Sequence, residues 1–219
     1  MQRDAGLRGI FSSALPYALF QNLVGASRSR KWAVSHCLRL KGGEKLVDVG
    51  CGPGVLLDYL QPDIQYLGFD ISRNYLETAR HKYGARGLFL EGRARDFVQD
   101  DRFQRADHVY CSGLLHHLDD DEVLEVFRFA HTVLKPSGRF TAIEPCFLAH
   151  QGRFSHWLMR QDRGANVRYE DDWKRLACQV FPSSHTRVLT RLIRIPYIHI
   201  WIEGGRGSTR RTSNNPEST

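Results

Sequence analysis

The chain changes texture at Lys45. From there to Pro145, short apolar runs alternate with amphipathic ones. "KLVDVG", "IQYLGFD", "GLFLEG", "DHVYCS" and "RFTAIEP" are short and apolar nearly throughout, which predicts five strands buried on both faces. Between them lie "VLLDYL", a helix stub stopped by Pro62, and "SRNYLETARHKYG". In the latter, Asn74 and Glu77 have capping-box spacing and Gly84 marks a stop. "DDDEVLEVFRFAHTVLKPSG" predicts a further helix, acidic where the dipole favours negative charge and ended by Pro136 and Gly138. Strands and helices alternating in this way predict an α/β fold with a mostly parallel sheet and helices on both faces.

Outside that region the pattern differs. Leu19, Leu23 and Val24, then Trp32, Val34 and Cys37, recur at helical spacing and predict two helical pieces. After Pro145 the alternation breaks: "ACQVFPSS" closes a helix, and "HTRVLTR" and "YIHIWIE" predict a sixth and a seventh strand. The stretch from Gly204 to Thr219 has no apolar side chain to bury and predicts a disordered basic tail. The expected organisation is N-terminal helices over a cleft (1–43), one main domain (44–203) with a substrate-covering insertion at about 146–182, and the tail (204–219).

Composition narrows the class. A chain of 219 residues suits one α/β domain with a sizeable core. No apolar run is long enough for a transmembrane helix, and polar and Pro interruptions break the apolar centre a signal peptide needs. Five widely spaced cysteines without a C-x-x-C pair favour reduced thiols, no metal site and a cytoplasmic location. The net charge of +7 is concentrated near Arg28, Arg30 and Lys31 and in the last third. It has two readings: solubility, or an anionic partner such as nucleic acid, a phosphorylated metabolite or a membrane surface.

The candidate chemistry begins at Gly50-Cys51-Gly52-Pro53-Gly54, between a strand and a helix. Glycine permits positive φ and lets a ligand approach the main chain. A dinucleotide loop reads G-x-G-x-x-G; here Val55 occupies the third glycine's position. Asp48 before the loop suits a ligand bearing an ammonium group better than a pyrophosphate. Asp70 ends the second strand, where a carboxylate can accept both hydroxyls of a ribose. An adenosine with a cationic amino-acid tail satisfies both acids.

"VDVGCGPG", "GFDIS", "SGLLHHL" and "LKPSGRF", within about Leu46 to Glu144, closely resemble the motifs of the class I S-adenosylmethionine-dependent methyltransferases, small-molecule branch. The resemblance implies a seven-stranded sheet of order 3-2-1-4-5-7-6 with its last strand antiparallel, and S-adenosyl-L-methionine as cofactor. It implies that Asp48 and the main chain of Gly50, Cys51 and Gly52 hold the methionine part. Asp70 takes the ribose and Ile71 packs on the adenine. In "EGRARDF", Arg93 stands where the family usually has Asp, leaving main-chain contacts from Ala94 and Arg95, with Asp96 as a substitute acid. Ser112 faces the sulfonium region.

His116 and His117 follow the fourth strand, and imidazole has the pKa of a general base; packing at a helix start is the alternative. Glu144 ends the fifth strand at the same mouth, with substrate contact as its expected role, so His116 and Glu144 are the catalytic candidates. Arg153, Arg160, Arg163 and Arg168 suggest an anion site, and Phe154, Trp157 and Tyr169 an apolar wall; a solvated lid helix is the alternative. The resulting expectation is in-line, O-directed methyl transfer to a small molecule: a sugar or glycan, a lipid, a quinone-like ring or a secondary metabolite. A nucleic-acid methyltransferase is disfavoured, since no base-flipping motif follows the fourth strand. A non-catalytic binder of the cofactor is the other alternative, and peripheral membrane contact by the basic segments is left open.

Overall fold

The computed structural model describes residues 26–161 and 164–207. The predicted helix around Leu19 to Val24, Arg163 and the last twelve residues lie outside them. Helix α1 (Ala26–Trp32) runs into a wider, π-helical turn (Ala33–Leu38). The strands follow as β1 (Lys45–Val49), β2 (Gln65–Asp70), β3 (Gly87–Glu91), β4 (Ala106–Ser112) and β5 (Leu134–Phe147). Helices α2 (Arg73–Tyr83) and α3 (Asp120–Val133) connect them, with 3₁₀ turns at Val55–Tyr59, Ala94–Phe97 and Leu115–His117. Beyond β5 come α4 (Arg153–Met159), the two-residue β6 (Arg168–Tyr169), α5 (Glu170–Val180), β7 (His185–Leu189) and β8 (His199–Gly205).

The sheet order is β3-β2-β1-β4-β5-β8-β7, with β6 paired to β5 beside the main path. β8 is antiparallel to both neighbours and the strands from β3 to β5 are parallel. This is the expected seven-strand order, with β7 and β8 as its sixth and seventh members. Two cores form, one per face. Val47, Val49, Phe69, Val109 and Phe140 pack with α3 and α5. Leu46, Tyr66, Tyr110 and Ile143 pack with α2 and the π-turn. Burial on both faces explains why the strands read as continuous apolar runs.

Three local expectations change. The cap of α2 is Ser72, whose hydroxyl accepts from the Tyr75 N–H, so the helix starts before the Asn74–Glu77 pair. Pro136 and Gly138 do not separate helix from strand: α3 passes directly into β5, which is longer than predicted. Ala106 pairs with Leu134 and His108 with Arg139, so Pro136 and Gly138 sit in a bulge where no ladder N–H is required. The tail expected from Gly204 begins later. Gly204 and Gly205 pair with Phe140 and Arg139, because backbone pairing needs no apolar side chain, and Arg206 donates to the Leu134 carbonyl at 2.9 Å.

Candidate functional site

The chain reverses its progression across the sheet between β1 and β4, and the carboxyl ends of those strands open a crevice there. The loop at the end of β1 lines it. Gly50, Gly52 and Gly54 have φ of 69°, 53° and 71°, a region closed to most side chains. A Cβ on Gly50 would stand 2.8 Å from Leu114, so glycine is needed there for close packing as well as for φ. A Cβ on Gly52, or on Gly113 at the end of β4, would meet nothing within 4 Å among the described residues. The crevice between these two glycines therefore has room for a ligand against the main chain.

The hydrogen bonds of the loop refine its expected role. The N–H groups of Gly50 and Cys51 both donate to the Phe69 carbonyl, at 2.9 and 3.1 Å. That of Gly52 donates to Asp70 Oδ2 at 2.9 Å. The expectation that these main-chain groups hold a ligand thus narrows to their carbonyl oxygens, which suit an ammonium donor. Asp70 also accepts from the Ser72 N–H at 2.8 Å through Oδ1. Each of its oxygens keeps a further lone pair, and the two N–H groups hold the carboxylate plane still. Next to it, Ile71 is 64% exposed, an apolar side chain left uncovered where a flat ring could lie. Ser112, at the end of β4 opposite Ile143, is exposed beside Gly113.

Asp48 is placed differently from the expectation. Strand parity puts it on the face of Leu46, Tyr66 and Tyr110, where it is buried. Its Oδ2 accepts from the Tyr66 hydroxyl at 2.6 Å. Loss of hydration raises its pKa to about 7; the Tyr66 hydrogen bond opposes this, and the Asp70 charge adds to it. Tyr66 was not among the sequence candidates, although its shared parity with Asp48 is the signal that finds it.

The 3₁₀ turn after β3 settles where Arg93 goes. Its N–H donates to Asp96 Oδ2 at 2.7 Å and its guanidinium reaches Glu122 of α3 at 2.9 Å. Arg95 pairs with Glu125 one turn further along, at 3.6 Å. Ala94 is buried in the core, so its side chain is not part of the crevice. Asp96, expected as a substitute acid, caps its own turn through Oδ2 and is exposed.

At the end of β5, Glu144 is fully buried, which corrects the expectation that it touches substrate. It shares the face of Phe140 and Ala142, beneath the turn that follows β4. Oε1 accepts from the Leu114 N–H at 3.0 Å. Oε2 accepts from the His116 N–H at 3.3 Å and lies 2.8 Å from His116 Nδ1. A carboxylate only accepts, so Nδ1 carries a proton toward Glu144. His117 is exposed, with its ring 4.1 Å from that of His116.

The insertion after β5 reaches His116. Asn166 donates to the His116 carbonyl at 2.9 Å, and a Cβ on Gly164 would collide with the ring. Arg168 anchors this contact and is not part of an anion site. It is buried over the Trp173 ring and donates to Asp120 at 2.8 Å and to the carbonyls of Leu115, Leu118 and Asn166. Arg168→Ala removes its hydrogen bonds to these buried acceptors and its packing over Trp173, so urea unfolding should show a loss of about 3 kcal/mol. Arg153→Ala, on the surface, should stay within about 0.5 kcal/mol of the parent. Helix α5 also departs from the expected cover: Trp173, Leu176 and Ala177 pack it onto the sheet. Among the described residues no group of His, Cys, Asp and Glu is arranged to hold a metal.

A family model described as a methyltransferase domain matches residues 46–138, which span the glycine loop, Asp70 and His116. That stretch is similar to a methyltransferase domain and makes up less than half of the chain. Ubiquinone biosynthesis O-methyltransferase of Actinobacillus pleuropneumoniae is 31% identical over 103 residues, 44% of this chain and 43% of the relative. Phosphoethanolamine N-methyltransferase 1 of Triticum aestivum is 30% identical over 112 residues, 50% of this chain and 22% of the relative. The chain thus spans about two fifths or less of these curated relatives. Among solved structures, a mitomycin 7-O-methyltransferase superposes with a TM-score of 0.64 at 19% identity, over 82% of this chain and 53% of that one. A geranyl diphosphate C-methyltransferase of Streptomyces coelicolor, solved with S-adenosyl-L-homocysteine, gives 0.63 at 12% identity, over 83% and 80%. These two show the fold. The open glycine crevice, the oriented Asp70 and the uncovered Ile71 fit S-adenosylmethionine, the cofactor that the sequence motifs lead one to expect.

Proposed function

We propose that this chain transfers a methyl group from S-adenosylmethionine to a hydroxyl of a small molecule. The observation that carries the reading is the Asp70–Ile71 pair beside the glycine crevice. A carboxylate held by two N–H groups retains acceptor capacity for ribose hydroxyls, and an exposed Ile offers an apolar face to adenine. The carbonyls of the Gly50–Gly52 loop and the Asp48 carboxylate beneath it suit the ammonium end, and Ser112 lies toward the sulfur. When bound, the cofactor supplies a methyl carbon already activated by positive sulfur. The chain's task is alignment, which can lower a barrier by about 7–11 kcal/mol. His116 takes the acceptor's proton, while Glu144 holds Nδ1–H and stabilises the imidazolium. Oxygen as the target follows from that pair, since a hydroxyl needs a base more than a neutral amine does. The described residues of 148–161 and 164–167 are the cover over the acceptor.

Calorimetric titration of the intact chain with S-adenosylmethionine, followed by an acceptor screen for methyl transfer, tests the reading. Absence of binding refutes it; binding without transfer to any hydroxyl acceptor leaves a cofactor-binding protein instead.

The binding should depend on pH. Asp48 holds its proton up to about pH 7 in the free protein, and an ammonium nearby favours the ionised form. Affinity is therefore expected to climb from about pH 5.5 to about 7.5, by at most about tenfold per unit, and then to level. Asp48→Asn should flatten the profile, and Tyr66→Phe should move its midpoint upward. In the free protein the same group lowers stability as pH rises from about 4 through about 7, because the folded state binds this proton more tightly than the unfolded chain does. A flat wild-type affinity profile would remove Asp48 from the site.

A further inference from the structure

Helix α4 presents its face in an unusual way. Met159 is buried, while Phe154 and Trp157 point outward, 64% and 53% exposed, with their rings stacked 6.0 Å apart. Arg153 and Arg160 lie on the same outward stripe, at the helical spacings of 153, 154, 157 and 160. Neither guanidinium has an ion-pair partner among the described residues. That contrasts with Arg93, Arg102, Arg168 and Arg175, which are all paired. A surface helix ordinarily turns its largest apolar side chains inward. Here two aromatics are bracketed by two unpaired cations on the segment that follows the carboxyl end of β5, the end at which the crevice opens.

We infer that this face of α4 docks on an anionic phospholipid surface, with Phe154 and Trp157 entering the headgroup boundary and Arg153 and Arg160 against the phosphates. Indole and phenyl groups settle at that depth, and arginines there meet an opposite charge that no described residue supplies. The chain's excess of positive charge, +7, favours the same partner. Among the described residues no helix is long and apolar enough to cross a membrane, so the contact is a peripheral one. It brings the mouth beside Glu144 and His116 toward the bilayer. The inference stands apart from the methyl-transfer reading, because it requires neither cofactor nor acceptor.

Co-sedimentation of the intact chain with vesicles of phosphatidylcholine, with and without phosphatidylglycerol, tests it at roughly 0.1 M salt. The expected result is binding to the anionic vesicles alone. Phe154→Ser with Trp157→Ser, and separately Arg153→Gln with Arg160→Gln, should each weaken it about tenfold without changing the melting temperature. Three results overturn the inference: no binding to anionic vesicles; undiminished binding by both double variants, which assigns the contact to basic segments elsewhere; or a wild-type dimer that dissociates on the aromatic substitutions, which assigns the face to a second copy.

Discussion

Asp70→Ala should raise the dissociation constant for S-adenosylmethionine by roughly 100- to 1,000-fold, about 3–4 kcal/mol. Two losses combine. The ribose hydroxyls lose a charged acceptor, each such bond being worth about 1.5–3 kcal/mol. The Gly52 and Ser72 N–H groups lose the carboxylate that joins the glycine loop to the start of α2. Asp70→Asn should fall between, because its single carbonyl oxygen can replace only one of the two carboxylate oxygens. Calorimetry against the wild-type chain gives the comparison. A dissociation constant for Asp70→Ala within about threefold of wild type would mean that the carboxylate only caps its own turn, and the ribose would have to lie elsewhere.

His116→Ala should lower turnover about 10²- to 10⁴-fold while cofactor affinity stays as it was, since the imidazole serves the acceptor and not the adenosine. Glu144→Gln is the more discriminating change. Glu144 accepts three N–H donors, and a glutamine at that place must turn its NH₂ toward at least one of them. Facing Nδ1, the amide donates and forces the proton to Nε2, the wrong tautomer for a base; in a comparable arrangement that error costs about 10⁴ in rate. Nitrogen NMR of the ring reads the tautomer directly. A shifted tautomer with reduced turnover and unchanged cofactor binding supports Glu144 as a positioning residue. Full turnover in His116→Ala would show that the pair holds the turn after β4 and does no proton transfer.

Much of this arrangement is legible in the residues in order. Short apolar runs alternating with capped helices predict a parallel sheet, and β1 through β5 follow in that sequence. The three bare positions after β1 and the acid ending β2 mark the crevice, because glycine at positive φ and a carboxylate at a strand end are local requirements. The start of α2 is less legible. Asn74–Glu77 satisfies the capping spacing, but Asp70's hold on the Ser72 N–H sets where the turn begins, and Ser72 becomes the cap.

What the sequence by itself determined is the strand and helix order, the place of the glycine loop, and the presence of Asp70, Ile71 and His116 around it. These follow from periodicity and from backbone demands within a few residues. The tertiary structure alone decided which acids are buried and which arginines are committed. Asp48 and Glu144 lie in strands buried on both sides, where no polar alternation reveals a direction, and pairing across the sheet sends each under a different face. Arg93 and Arg168 look like available cations until α3 supplies Glu122 and Asp120, partners brought close only when the helix packs.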